Sequence, residues 1–442
     1  MEHTVQGMAN WQIITAVVIF LVCYAIIVSE KINRAIIAMC GAVLMILLKI
    51  VDFHKSYTEH IHWETIFLLV GMMIIVAIAN KSGIFHYLAV KTAKSTGGNP
   101  KKILIRLALL TAIGSAFIDN VTMVLLIAPI TIAITQSLRI NPIPFLIAET
   151  MVCNIGGAAT LTGDPPNIMI GTAVGISFNS FLIHITPIII ILVFISLLYL
   201  KIYFSKRLHV DELHQRKLME TEPMDYIRDL NLAKKSIVVF ILTLAGFATQ
   251  QFTGLEPAAV ALLGAALLLL ISAKTSDLDE VLRSVEWVTI FFFAGLFVLV
   301  GGLVDAGIIE KLAARVINVT HGDIVFTSFA ILWGSGVASA FVDNIPLVAT
   351  IIPLIQDMSA QLVLSPAELS TLWWSLVLGA CLGGNGTLIA SSANLIVASI
   401  AAREGTPISF IDFLKVSIPI TLITLAFATV YVYFVYIRLG FA

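Results

Sequence analysis

Asp119, Asp164 and Asp343 each interrupt an apolar stretch of the chain. An ionisable side chain is expensive in such a stretch, and by default it points to an ion site or a proton relay. Asp119 belongs to Ser115-Ala116-Phe117-Ile118-Asp119-Asn120, and the pattern recurs as Ser339-Ala340-Phe341-Val342-Asp343-Asn344. Asp164 belongs to a second kind of interruption, Asn154-Ile155-Gly156-Gly157-Ala158-Ala159-Thr160-Leu161-Thr162-Gly163-Asp164-Pro165-Pro166-Asn167. Its counterpart is Cys381-Leu382-Gly383-Gly384-Asn385-Gly386-Thr387-Leu388-Ile389-Ala390-Ser391-Ser392-Ala393-Asn394. Adjacent glycines destabilise helix, and Pro165-Pro166 suits the first turn of a restarted one. Close helix packing also uses glycine, but packing leaves the interleaved Asn, Thr, Asp and Ser unexplained. Both segments are therefore read as unwound binding loops.

The candidate substrate- and ion-binding set is Asp119, Asn120, Asn154, Gly156, Gly157, Thr160, Thr162, Asp164, Asn167, Asp343, Asn344, Gly383, Gly384, Asn385, Thr387, Ser391, Ser392 and Asn394. The three aspartates are the candidates for proton coupling. Asp164 is matched by Ser391, so a single negative charge separates the two loops. It has two open roles: a helix cap, worth about 1 kcal/mol, or a carboxylate that exchanges its proton with water on alternate sides. None of the four breaks holds a Lys or Arg. An anion would depend there on helix N-termini, whereas a cation or a neutral polyhydroxy solute meets oxygen ligands directly. Cys153 and Cys381 adjoin the loops as soft ligands or as core packing. Glu149 and Arg106 read as interfacial residues or a structural ion pair, and His184 as a polar surface or cavity residue. No phosphate loop, H-E-x-x-H motif or dinucleotide fingerprint is present. No cofactor, resident metal or enzymatic role is expected.

The elements that must position these residues follow from composition. The chain has 442 residues, 59% hydrophobic and 12% charged. A soluble chain carries about a quarter charged residues, so this is an all-α polytopic membrane protein whose surroundings are the lipid bilayer. Lys+Arg and Asp+Glu are nearly equal, 26 against 27, which excludes a nucleic-acid partner. The four cysteines show no paired spacing. Spans are expected at 11–28, 34–50, 64–80, 145–175 (interrupted), 181–203, 236–250, 257–272, 287–304, 370–401 (interrupted) and 413–436. The stretches 103–137 and 324–362, centred on Asp119 and Asp343, suit re-entrant hairpins; the alternative is pairs of short helices with Asp-Asn in an extramembrane turn. Residues 1–10 lack a basic region and a cleavage site, so no cleaved signal peptide is expected. Lysine- and arginine-rich segments 81–102 and 204–235 are placed in the cytoplasm, and 1–10, 251–256 and 305–323 outside. This arrangement puts both termini outside the cell membrane.

An internal repeat runs through the chain. His62-Trp63-Glu64-Thr65-Ile66-Phe67 matches Glu286-Trp287-Val288-Thr289-Ile290-Phe291, and an offset of 224 continues through Gly71/Gly295, Gly83/Gly307 and Asp119/Asp343 to Pro129/Pro353. The match resumes at 227 in Gly156-Gly157/Gly383-Gly384, Thr160/Thr387 and Asn167/Asn394, then at 232 in Phe178/Phe410 and Pro187/Pro419. Upstream, Ala38 and Gly41 match Ala261 and Gly264. The expected organisation is a first repeat, 1–203, a cytoplasmic linker, 204–235, and a second repeat, 236–442. Five crossings per half make the repeats inverted, an arrangement found in secondary transporters with broken helices at the midplane.

The Ser115–Thr122 segment and the loop ending Gly163-Asp164-Pro165-Pro166-Asn167 resemble the ion transporter superfamily, in the branch of arsenite/antimonite efflux permeases, the pigmentation P protein and certain sodium/proton antiporters. The resemblance implies a scaffold and a mobile transport region in each half, with hairpin tips and unwound loops forming the site. It also implies a homodimer through the scaffold. Dicarboxylate members carry Ser-Asn-Thr at the hairpin tips, where this chain has Asp119-Asn120 and Asp343-Asn344. The expected function is efflux of arsenite or antimonite, a small inorganic ion or neutral hydroxide, coupled to protons or membrane potential. Sodium/proton antiport and a passive anion channel are the alternatives. An outside ATPase subunit is a third possible source of energy.

Overall fold

The computed structural model describes residues 8–29, 31–205, 208, 215, 218–273 and 277–441. Among these the chain is helical, without β-strands. Lys206, Arg207, Arg216 and Lys217 of the expected linker, and residues 1–7 of the N-terminal segment, lie outside the described residues.

The first half contains α1 (Asn10–Ser29), α2 (Arg34–Leu47), α3 (Trp63–Lys81), α4 (Ile84–Lys94), α5 (Pro100–Ser115), α6 (Asn120–Ser137), α7 (Ile143–Gly157), α8 (Pro165–Val174), α9 (Phe178–His184) and α10 (Thr186–Phe204). The second contains α11 (Leu230–Ala248), α12 (Pro257–Ser272), α13 (Trp287–Asp305), α14 (Ile308–Thr320), α15 (Ile324–Ser339), α16 (Asn344–Leu362), α17 (Pro366–Gly383), α18 (Ser392–Arg403) and α19 (Phe410–Tyr431). Among the described residues eight helices are long and apolar enough to cross a membrane, or up to ten if each of two bent pairs is one span. Helix boundaries follow local chemistry. Asn99 accepts from the Lys101 and Lys102 amides ahead of Pro100, and Ser365 forms a capping box with Glu368. Gly83 and Gly307 adopt positive φ, 84° and 66°, at matching joints between α3 and α4 and between α13 and α14.

Matching residues of the two halves make reciprocal contacts. A Cβ on Gly71 of α3 would lie 2.7 Å from the Ala261 backbone of α12, and one on Gly295 of α13 would lie 2.6 Å from that of Ala38 in α2. Gly71 matches Gly295 and Ala261 matches Ala38. Residue i meeting j while j's counterpart meets i's is the reciprocity a two-fold relation produces. These small-residue crossings let α3 pack on α12 and α2 on α13 at backbone distance. The helix ends are clasped across the halves as well. Lys81 Nζ lies 2.7 Å from Glu280, and Asp305 holds Lys55 and, at 3.0 Å, His60.

The described end of the expected linker is docked on the first half. The Arg228 amide donates to the Ser82 carbonyl at 2.9 Å, Lys94 reaches Glu222 at 3.0 Å, and His86 stacks on Tyr226. Burial, followed by the nearby Arg228 charge, lowers the pKa of the His86 imidazole.

Candidate functional site

The two Asp-Asn turns join α5 to α6 and α15 to α16; Asp119, Asn120 and Asn344 are buried, whereas Asp343 is half-buried and the neighbouring Phe341 is exposed. Asp119 caps α6 by accepting from the Thr122 amide at 2.9 Å, and Asp343 caps α16 by accepting from the Ile345 amide at 3.0 Å. The next residue in each turn, Asn120 or Asn344, turns its side-chain amide toward the same carboxylate. Asn120 Nδ2 lies 3.2 Å from Asp164 Oδ1, and Asn344 Nδ2 lies 3.4 Å from Asp164 Oδ2. Asp164 precedes α8 but makes no side-chain cap bond to it. Its carboxylate instead links a turn of the first half to a turn of the second.

The interrupted helices are held open by their own side chains. Asn167 Nδ2 donates to the carbonyls of Gly157, Ala158 and Thr160, at 3.3, 3.1 and 2.8 Å. Asn394 Nδ2 does the same for Gly384 and Thr387, both at 2.9 Å. These amides satisfy carbonyls that the broken helix leaves without intrahelical partners. The loops are then tied together. Asn154 donates to Asn385 and Asn394, both at 2.9 Å, and Asn385 donates to the Met151 carbonyl at 3.0 Å. Cys381, the counterpart of Asn154, lies 3.2 Å from Asn167, the counterpart of Asn394. Thr160 donates to the Ala116 carbonyl, and Thr162 Oγ1 lies 3.5 Å from that of Phe117, so the first loop rests on the first turn. Gly156 and Gly383 provide close approach: a Cβ there would lie 2.8 Å from Ala112 Cα or 2.9 Å from Gly336 Cα.

The framework helices supply the charges that the breaks lack. Arg34, first residue of α2, reaches Asp343 Oδ2 and Ser392 Oγ, both at 2.6 Å, and stacks over the Phe292 ring at 4.7 Å. Ser392 also donates to Asp343 at 2.9 Å. Glu286, just before α13, accepts from Thr289 at 3.1 Å. Arg34, Glu286 and Thr289 border one small cavity together with Met73, Asp119, Asn120, Asp164, Asn344, Ser391 and Ser392. About 10 Å³ of it is open to the centre of a water-sized sphere, room for about one water molecule. Asp119, Asp164, Asp343 and Glu286 thus share this region with one guanidinium, already paired to Asp343. Among the described residues no three His, Cys, Asp or Glu side chains cluster closely enough to hold a metal.

Of the residues singled out in the sequence, Asp119, Asn120, Asp164, Asn344, Ser391 and Ser392 border the cavity, and Asp343 lies behind it against Arg34. Asn154, Asn167, Asn385, Asn394, Thr160 and Thr162 bind the loops to each other and to the turns, while Gly157 and Gly384 offer carbonyls to that network. Thr387 Oγ1 is buried without a partner. Cys153 Sγ is 3.5 Å from the Asn120 carbonyl. Arg106 bonds to Ser95, as an interfacial residue would. Glu149 is buried with one oxygen on Thr131, at 2.6 Å, and the other unpartnered. Sequence reasoning missed Arg34 and Glu286. The repeat did place Glu286 opposite His62, and that replacement at a matched position was its one visible signal.

Residues 24–379 match the family model described as CitMHS, citrate transporter. An uncharacterized transporter of Mycobacterium tuberculosis is 41% identical over 427 residues, covering 96% of this chain and 98% of that protein. The Mus musculus P protein is 33% identical over 509 residues, 97% of this chain but 61% of that protein. Among solved structures, the Alcanivorax borkumensis YdaH transporter aligns with a TM-score of 0.57 at 14% identity, covering 97% of this chain and 98% of that one. MtrF of Neisseria gonorrhoeae, described as one of a class of antimetabolite efflux pumps, aligns at 0.58 and 13% identity, covering 96% and 95%. At those identities the likeness is one of fold.

Proposed function

Because this chain belongs to the CitMHS citrate transporter family, and is a membrane transporter rather than an enzyme, we propose that it exchanges a small cation for protons by alternating access, with Asp164 as the exchanging carboxylate. The observation that carries the reading is the position of Asp164. It is buried, uses neither oxygen as a helix cap, and touches an amide from each half. A carboxylate joining two moving parts gains or loses contacts as they separate, so its proton or sodium occupancy is coupled to the motion. Dehydrated sodium finds carboxylate, amide and hydroxyl oxygens here, and hard cations prefer such donors.

Charge argues against citrate, the substrate for which the family is named. Citrate would face Asp119, Asp164 and Glu286 in the cavity and a guanidinium already committed to Asp343 behind it. The same acidity, and a cavity of one-water size, argue against a passive anion channel. Efflux of arsenite or antimonite remains the second reading. A neutral trihydroxide suits the oxygen-rich lining, and Cys381 Sγ, 3.2 Å from Asn167, would supply a soft ligand at the loops. In either reading an ion gradient supplies the energy and no ATPase subunit is required, while a homodimer is the assembly the resemblance implies. The proposal includes two inverted halves, 1–203 and 236–442, with both termini outside the cell membrane.

Everted membrane vesicles carrying a pH-sensitive dye provide the test. Proton movement on adding sodium, absent with arsenite, antimonite, citrate or chloride, is the expected result. A response to arsenite alone would transfer the assignment to the second reading, and silence to sodium from pH 6 to 9 would end the first.

A further inference from the structure

A large apolar groove lies away from the carboxylates, between α5 and α10, with a volume of about 690 Å³. Small-molecule sites run from roughly 300 to 1,000 Å³. Ile105, Leu109 and Ile113 of α5 form one wall, Val193, Leu197 and Lys201 of α10 the other. At its inner end it reaches Ala116 and Phe117 of the first turn and Ala159 and Thr160 of the first loop.

The second half shows what this interface looks like when it is filled by side chains. At the repeat offsets, Ile105 and Leu109 become Phe329 and Trp333, while Leu197 and Lys201 become Thr429 and Tyr433. Trp333 donates to Thr429 Oγ1 at 2.9 Å, and Phe329 packs on Tyr433 with ring centroids 6.4 Å apart. Leu425, counterpart of Val193, lies against Gly336. Smaller aliphatic residues and one lysine replace this aromatic packing in the first half, and the groove lies between them.

Lys201 is the one charged residue in the lining, is exposed, and forms no ion pair among the described residues. Its neighbours Tyr199 and Tyr203 stack at 5.9 Å, and tyrosines favour the membrane–water interface. We infer that the groove between α5 and α10 is a binding site for an anionic phospholipid, with one acyl chain in the groove and the phosphate on Lys201. Lipid tails are as apolar as leucine, so the groove itself gives packing but little selectivity. Selectivity comes from the headgroup: a lysine near the surface favours an anionic lipid by about 1 kcal/mol, or about fivefold. The seated chain leans on the contact that orders the first loop, where Thr186 donates to the Ala159 carbonyl at 2.8 Å and Thr160 to that of Ala116. This inference does not depend on which ion is carried.

Native mass spectrometry of the purified full chain, titrated with phosphatidylglycerol or phosphatidylcholine of identical acyl chains, tests it. The expected result is one phosphatidylglycerol bound about fivefold more tightly than phosphatidylcholine. Lys201→Gln should bring the ratio near one while a lipid is still retained. Leu109→Trp, which installs the second half's residue, should remove that lipid whatever its headgroup. An unchanged headgroup ratio in Lys201→Gln, or undiminished binding in a folded Leu109→Trp, would overturn the assignment. Lys201→Gln alters only a surface side chain and decides the headgroup question even if Leu109→Trp does not fold.

Discussion

Replacing Asp164 by Asn separates the exchange role proposed for this carboxylate from every structural role the residue could play. Its two contacts to side-chain amides are long, 3.2 Å to Asn120 and 3.4 Å to Asn344, and the Cys381 thiol also lies against it. Hydrogen bonds to charged groups contribute about 1.5–3 kcal/mol and neutral ones about 0.5–1.5, so at these lengths the low end applies. An Asn can accept from one of the two amides and must turn its own amide toward the other, which costs about one neutral bond, ~1 kcal/mol. Against that loss stands the removal of a buried negative charge from beside Asp119 and Glu286. The net change in stability should stay within about 2 kcal/mol, and the variant should fold. Transport should change far more. One pH unit across the membrane is worth about 1.4 kcal/mol, a tenfold accumulation for one-for-one exchange. Reconstituted wild-type protein should approach that ratio, whereas Asp164→Asn should not exceed equal concentrations on the two sides. Sodium binding, read as a thermal shift, should be weakened in the variant but detectable through the remaining oxygens. A variant that still accumulates sodium tenfold under a unit pH gradient would refute the role given to Asp164.

Four further outcomes follow from the geometry. Arg34→Gln leaves Asp343 with Ser392 as its remaining side-chain donor; it should lower stability by about 1.5–3 kcal/mol, and adding Asp343→Asn should recover much of the loss in a double-mutant cycle of melting temperatures. Gly156→Ala should destabilise by about 1–3 kcal/mol, because the new Cβ meets the Ala112 backbone. Gly334→Ala, in the middle of α15 with nothing within 4 Å, should instead stabilise by about 0.4–1 kcal/mol in the same thermal assay. The imidazole of His86 is pushed below its ordinary value of about 6.5, so its contribution to docking of 221–229 is present above that pH and lost as pH falls toward the lowered value. Trypsin cleavage near Arg228 should therefore rise on acidification, and a flat profile would show that His86 does not govern the docking.

Much of this arrangement was legible in the sequence because membrane burial leaves polar residues conspicuous. Asp119 and Asp343 could be located at helix restarts from their neighbours alone, since the capping requirement is local. The unwound loops were readable for a similar reason, with glycine pairs and a proline pair bracketing polar residues. Local reasoning left Asp164 open between a cap and a proton-exchanging carboxylate, and the structure shows no side-chain cap bond. The backbone restarts there with Pro165-Pro166, whose nitrogens have no hydrogen to donate to a capping oxygen. Arg34 was unreadable for a different reason. It stands at the start of an apolar helix, where a basic residue is ordinary, and its partner Asp343 is 309 positions away. The apolar groove could be recognised only once the counterparts of Ile105 and Leu109 were seen packed.

The two kinds of residue in this site divide by symmetry, and the division bears on mechanism. Matched pairs do matched structural work: Asp119 and Asp343 cap helices, Asn120 and Asn344 reach Asp164, and Asn167 and Asn394 hold their own loops open. The groups without counterparts carry charge. Asp164 faces Ser391 in the repeat, Glu286 faces His62, and Arg34 falls opposite Pro257 at the upstream offset of 223. A symmetric site would offer a cation equal handholds in both orientations of the moving parts. Here Arg34 neutralises the second turn's carboxylate, while Asp119, on the first turn, adjoins Asp164 and Glu286 in the cavity with no such cation paired to it. Under the proposed exchange, the half without the neutralising arginine attracts a proton or sodium more strongly, so the two end states would differ in affinity. Unequal affinities make half-saturation by sodium differ between the two faces of the membrane while the ion gradients alone set the direction of net exchange, so Arg34→Gln should change that difference.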